Sequence, residues 1–331
     1  MDYKYYLKRC GFQELGSVGI DGKVNRGRYL LTSMNEEVLS FFPPLSITQL
    51  NDYALLPVIP LYSGKKVYCN YVYHNDKFHN STAAHKRNEY RIYLNKTLEE
   101  NKLLFHADDI MVMRKDTIDD EDGDPQIVYL LDLVQDHQSM IYKALNSEIG
   151  KFPTRGGYGI YNGVISEFES KVSAIKNVNE AEVVIDATVT DRFKSTDSKA
   201  LENLFNASTF RDFVMVGYSN LCAITGTVIK YDNYMNLEAA HIKPKSHGGL
   251  FLPNNGMALC RDLHWAFDKG FFTLTKNLEV MVHPKTTSDY LRSFEGRQIR
   301  LPSDAFFIPN LDNVYYHNKE VYGLFLTTGR L

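Results

Sequence analysis

The 331-residue sequence is short of cysteine, of net positive charge and of long apolar runs. Its four cysteines (Cys10, Cys69, Cys222, Cys260) are scattered, and none forms a CxxC pair. That spacing does not read as a disulfide framework and points to a reducing, cytoplasmic home. No stretch approaches the roughly 20 apolar residues that a membrane span needs. The N-terminal MDYKYYLKRCGF lacks the apolar core of a signal peptide. The expectation is a soluble intracellular protein with no membrane partner. Formal net charge is −3, so no global positive field marks a polyanion ligand. Basic residues can still gather on one face, as in Lys243 with Lys245, and Lys86 with Arg87 and Arg91.

What is present suits a folded chain. Apolar residues make up 44% and charged residues 23%, which excludes disorder by composition, and the length allows two ordinary domains. The 22 Tyr and 19 Phe suit sheet faces and base-stacking surfaces alike. No internal repeat occurs. Residues 67–73 and 90–94 alternate with the period of half-buried strands, and 109–113 and 127–133 read as further strands. The acidic run 119–125 between the last two reads as a solvated hairpin loop rather than a Ca²⁺ site. Helix-like spacing covers 138–149 and 165–175, a loop holds residues 154–158, and a strand is expected near 181–189. One helical segment over 201–218 leads into the richest part of the sequence. The domain reading is a β-rich unit over 1–140, a connecting region with helices over 141–205, and a second domain over 206–331. The fold class is α+β, mostly β first and mixed afterwards.

Residues 222–270 carry the chemistry. They run Cys222-Ala-Ile-Thr-Gly, Leu237-Glu-Ala-Ala-His241-Ile-Lys-Pro, Gly248-Gly249, Asn255-Gly-Met-Ala-Leu-Cys260, and Arg261-Asp-Leu-His264-Trp-Ala-Phe-Asp268-Lys-Gly270. His241 ends an apolar strand, Pro244 stops it, and Gly248-Gly249 permits a turn that other residues resist. His264 and Asp268 are four apart, so on a helix they share a face and can grip one ion. Phosphodiester hydrolysis needs a base for water, a cation for the charge that develops, and a group that orients the base. A neutral histidine is a natural base near pH 7. Helical His plus Asp offers a mixed N/O site. Asn255, at the turn into the helix, can bond a carbonyl of the loop and hold His241. Trp265 reads as core, and Asp262 as a solvent-facing helix residue.

These residues, in this order and spacing, resemble the HNH (ββα-metal) nuclease superfamily. The narrower pattern, with Tyr290, Leu301-Pro302, Pro309 and 317–322 at the end, resembles a subgroup of bacterial restriction-type endonucleases and covers about 211–322. The resemblance implies a ββα-metal fold with His241 as general base, Asn255 as loop-orienting residue, and His264 and Asp268 as ligands of a single Mg²⁺ or Mn²⁺. It also implies double-stranded DNA as substrate, with products bearing a 5′-phosphate and a 3′-hydroxyl. Lys243 and Lys245 are candidate DNA contacts.

Two departures stand out. Many relatives have an acidic or His ligand just before the base, where this sequence has Ala240. Either Glu238 reaches the ion instead, or water or phosphate oxygens complete the site. Thr225 and Leu263 also stand where relatives have zinc-binding cysteines. Two cysteines do not make a four-ligand site, so no structural zinc is expected and Cys222 and Cys260 should pack as small apolar groups. Over roughly 50–135 the sequence weakly resembles the B3-like pseudobarrel, a DNA-recognition fold. It would make Arg87, Asn88 and Arg91, with His85 nearby, candidates for phosphate or base contacts. The alternative there is a surface strand whose Arg and Glu pair across the sheet. Three functions stay open: a restriction-type endonuclease, a phage-defence effector nuclease gated by an N-terminal sensor, and a non-catalytic DNA-binding protein. A two-fold homodimer suits a palindromic target.

Overall fold

The structure, a computed structural model, describes residues 3–16, 27–79, 82, 86, 88–100, 104–119, 125–153, 156–175, 181–231 and 234–329. Its contacts divide the chain into two compact units, Met1–Arg192 and Phe193–Leu331. Among the described residues, no helix is long and apolar enough to cross a membrane.

The first unit is built on one large sheet of β1 (Tyr3–Arg9), β2 (Tyr29–Thr32), β3 (Tyr53–Pro60), β4 (Lys66–His74), β5 (Glu89–Tyr93), β6 (Ile110–Asp119), β7 (Pro125–Val134), β8 (Tyr158–Gly163) and β9 (Val183–Val184). The order is β2-β5-β4-β3-β7-β6-β1-β8, with β9 paired to β4. All neighbours are antiparallel except β3 with β7 and β4 with β9. The strand-forming composition, rich in Tyr, Val, Ile and Leu, fits a pleated surface. The alternating run in β4 predicts one solvated face, yet every residue from Lys66 to Tyr73 is buried. One face of the sheet packs an aromatic cluster including Tyr6, Phe41, Phe42, Tyr71 and Tyr129, so a Tyr in this strand is a core residue. The opposite face of β1, β6 and β7 packs on the helices Met140–Lys151 and Ser166–Ala174. β6 and β7 form the expected hairpin, closing at Asp119 opposite Pro125; residues 120–124 of its loop lie outside the described residues.

Elsewhere the structure differs from what the sequence predicts. Tyr158 does not end a loop but opens β8, an edge strand that zips along β1. Its two glycines and an Asn hid the strand signal. The expected strand near 181–189 shrinks to β9, because the helix Ala187–Phe193 takes over. The single helix expected over 201–218 is two, Ser198–Leu204 and Ala207–Gly217. Asn206 causes the break: its backbone is extended, and its side chain accepts from Thr209 N to cap the second helix.

In the second unit, β10 (Lys230–Tyr231) pairs with β11 (Tyr234–Met235), β12 (Leu237–His241) with β13 (Gly256–Cys260), and β14 (Phe272–Leu274) with β15 (Val280–Val282). All three pairs are antiparallel. The helix Arg261–Asp268 follows β13 without a gap, giving a strand–strand–helix unit. Its Leu263, Ala266 and Phe267 join Ala240, Met257 to Leu259, Phe210 and Val214 in one apolar core. That burial fixes which side of the short helix remains for chemistry.

Candidate active site

His241 is the last residue of β12 and lies opposite Gly256. Its ring stacks on Phe210, with centroids 4.2 Å apart and planes 21° off parallel, and meets the edge of Phe251 at 5.5 Å. Nε2 is buried and makes no hydrogen bond within the protein. Burial, reinforced by the charges of Lys245 and His264, pushes the imidazole down to about 4. A histidine so placed is neutral across the physiological range and has its basic form available.

The loop after His241 is pinned by Asn255, which is 2% exposed. Its side chain accepts from Lys243 N at 2.8 Å and donates to Lys243 O at 3.1 Å and to Leu250 O at 3.0 Å. Its own carbonyl accepts from Ile242 N at 2.8 Å. Four bonds from one residue thus fix the chain on the C-terminal side of His241. The glycine pair serves the same loop. Gly248 has φ +77°, and a Cβ at Gly249 would stand 1.9 Å from Lys243 O. Lys243 and Lys245 leave this loop over the rings of Tyr316 and Phe251, at 4.7 and 4.0 Å.

The helix brings the acidic and imidazole groups together. His264 Nδ1 lies 2.7 Å from Glu238 Oε2, and His264 Nε2 lies 3.3 Å from Asp268 Oδ2. Glu238 Oε1 in turn meets Arg261 Nε at 3.1 Å. Partial burial raises the Asp268 carboxyl, aided by Glu238 and opposed by His264 and Lys269. Ala240 is fully buried in the core. Among the described residues, no three His, Cys, Asp or Glu side chains are arranged to hold one metal ion. The pair His264 and Asp268 nevertheless fits a cation in chemistry and spacing. Two ligands about 2.1 Å from one ion stand about 3.0–3.4 Å apart for right-angled to tetrahedral geometry.

Other candidate residues fall differently. Asn88 is half-buried and donates to the Tyr73 hydroxyl at 2.6 Å. Arg91 is 6% exposed, bonded to Glu89 and Tyr93 and stacked over the Tyr29 ring at 4.2 Å. Its guanidinium is thus engaged by partners within the protein. Arg87 and His85 lie outside the described residues. Trp265 is 55% exposed, with its ring 5.4 Å from that of Phe271, so it is not a core residue. It stands two residues after buried Leu263, which on a helix is the opposite side. Asp262 is exposed but bonded to the Tyr290 phenol, which burial foremost and this carboxylate next push up to about 12. Cys222 and Cys260 sit in the apolar core with their thiols in mutual contact, and burial foremost holds the Cys260 thiol up at about 11. Phe210, Phe251 and Arg261 touch the site but were not singled out in the sequence. Only the position of Phe251 beside the glycine pair hinted at a role.

Residues 222–275 match the family described as HNH endonuclease. The matched segment contains β12, β13, the helix Arg261–Asp268 and β14, and with them His241, Asn255, His264 and Asp268, while Phe210 and Tyr316 lie outside it. Two solved structures are similar. One is the modification dependent TagI restriction endonuclease, at 15% identity and TM-score 0.28, over 76% of this chain. This chain spans 62% of the length of that one. The other is the UbaLAI restriction endonuclease B3 domain with cognate DNA, at 17% identity and TM-score 0.30, over 49% of this chain and 87% of that one. No curated protein matches.

The second unit also carries a pH response. His317 is 1% exposed, stacked on Phe267 at 3.8 Å and bonded to Thr273 Oγ1 and Phe267 O. Burial pushes it down to about 4. An unfolded imidazole takes its proton near pH 6.5, so between pH 6.5 and 4 the unfolded chain binds the extra proton. Stability is full above pH 6.5 and falls as pH drops toward 4, by on the order of 3 kcal/mol for this one residue. Thermal melts at stepped pH should show the decline. His317→Gln should melt lower at pH 7 but with a flatter slope, whereas an unchanged slope would contradict the assignment.

Proposed function

We propose that the chain is a divalent-cation-dependent DNA endonuclease of the restriction type. The observation that carries this reading is the strand–strand–helix unit that ends β12 at His241, pairs it with β13 and leads straight into the helix where His264 and Asp268 stand 3.3 Å apart. His241 takes a proton from water, whose oxygen attacks phosphorus while the bond to the 3′-oxygen breaks; the leaving 3′-oxygen takes a proton from solvent, giving a 5′-phosphate and a 3′-hydroxyl. His264 and Asp268 hold the cation, Mg²⁺ or Mn²⁺. When bound, that cation supplies charge stabilisation for the phosphorane and the leaving oxygen. Asn255 keeps the loop, and with it His241, at a fixed distance from the helix. Lys243 and Lys245 neutralise flanking phosphates.

The first unit supplies sequence choice, with Arg87 and Asn88 as contacts; Arg91 is left out for the reason given above. Two copies acting across a two-fold axis cut both strands of a palindromic site. Purified protein with Mg²⁺ should cut genomic DNA into discrete fragments, and sequencing their ends should return a shared motif. EDTA should stop the reaction, and His264→Ala or Asp268→Ala should lower it at least 100-fold. Ends scattered without a motif would remove the restriction reading while keeping the nuclease.

A further inference from the structure

Of the two ways to complete the cation site, a Glu238 ligand or oxygens of water and phosphate, the first meets an obstacle: Glu238 contacts the wrong side of His264 for that task. An imidazole's two nitrogens point away from one another. Glu238 Oε2 takes Nδ1 at 2.7 Å, while Asp268 stands by Nε2 at 3.3 Å. One ion bound at Nε2 beside Asp268 is out of reach of a carboxylate held against Nδ1. The 2.7 Å separation is that of a strong charge-assisted hydrogen bond. The other oxygen of Glu238 is engaged by Arg261 at 3.1 Å, which holds the carboxylate in place.

We infer that Glu238 is a positioning residue: it accepts the Nδ1–H of His264 and so turns the Nε2 lone pair toward the cation shared with Asp268. The chain Arg261–Glu238–His264–Asp268 then works as an outer carboxylate orienting an inner imidazole. Such partners fix the tautomer of a ligating histidine and raise its basicity. The cation's remaining positions are left to solvent and phosphate oxygens. This inference rests on the nuclease reading for its purpose, but not for its test.

The test uses the full chain, with Mn²⁺ alone as probe, in native, Glu238→Ala and Glu238→Gln forms. Nitrogen-15 NMR of the metal-free protein reads the tautomer of neutral His264, and calorimetry reads Mn²⁺ affinity. The native protein should show the Nδ1–H form. Glu238→Ala should shift His264 toward a mixture and weaken Mn²⁺ by about 10–100-fold. Glu238→Gln, whose amide oxygen still accepts, should keep the Nδ1–H form and lose less than tenfold. An Nε2–H form in the native protein overturns the inference, as does a native chain that binds no Mn²⁺. Equal losses of affinity in Gln and Ala variants with the tautomer unchanged overturn it too, because Glu238 is then a direct ligand. If Glu238→Ala does not fold, native and Gln forms decide by themselves. A native protein that meets these results but leaves duplex DNA intact sinks the nuclease reading alone.

Discussion

Replacing His241 with alanine should lower the single-turnover rate of DNA cleavage by about 10²–10⁴-fold, the usual contribution of a positioned general base. The protein should stay folded. His241 is half-buried at a strand end, and the packing it loses is mainly the stack on Phe210 and the edge of Phe251. Such ring contacts are worth about 0.5–1.5 kcal/mol each. Mn²⁺ affinity should be nearly unchanged, since the cation is assigned to His264 and Asp268. The pH profile gives a second signature. A base held down at about 4 keeps the acid limb of the native rate below pH 5, rather than near the ordinary imidazole value. Normal cleavage by the alanine variant would remove His241 from the mechanism.

Asn255→Ala should have the largest effect on stability of any single change near the site. It removes three side-chain bonds from a 2% exposed position and strands Lys243 N, Lys243 O and Leu250 O. A buried group left without its partner costs about 1–3 kcal/mol. Lys243 is half-buried, so water relieves part of the loss, and the net cost should be about 2–5 kcal/mol. Asn255→Asp should do no better. Its oxygen can still accept from Lys243 N, but two carbonyls then face a carboxylate instead of an amide. Urea unfolding should show a lower midpoint at unchanged slope. Cleavage should fall as well, since the loop that follows the base is released. A fully stable, fully active Asn255→Ala would mean that the loop is held by something else.

The site was legible in the sequence because its parts are local. Residues 237–268 place two strands and a helix in immediate succession, and the i, i+4 spacing of His264 and Asp268 fixes their shared face without tertiary information. The tight turn at Gly248-Gly249 was legible for the same reason. Less visible were contacts set by distant packing. Phe210 reaches His241 from a helix some thirty residues earlier, and Arg91 is consumed by Glu89, Tyr93 and Tyr29 within the sheet. Alternation alone could not show that β4 is buried on both faces, because Tyr and Asn suit a wet face as well as a packed one. Trp265 suits a core by aromatic character, but helical phase places it elsewhere. The core stripe of Leu263, Ala266 and Phe267 leaves Trp265 facing outward.

In the proposed reaction the chain hydrolyses DNA through His241 with a cation at His264 and Asp268. The most direct measurement is incubation of the purified protein with supercoiled plasmid and Mg²⁺ or Mn²⁺. The account predicts conversion to nicked and linear DNA with 5′-phosphate ends, blocked by EDTA and absent with His241→Ala. Plasmid left supercoiled by folded protein with either cation, or cleavage that persists in EDTA, would contradict it.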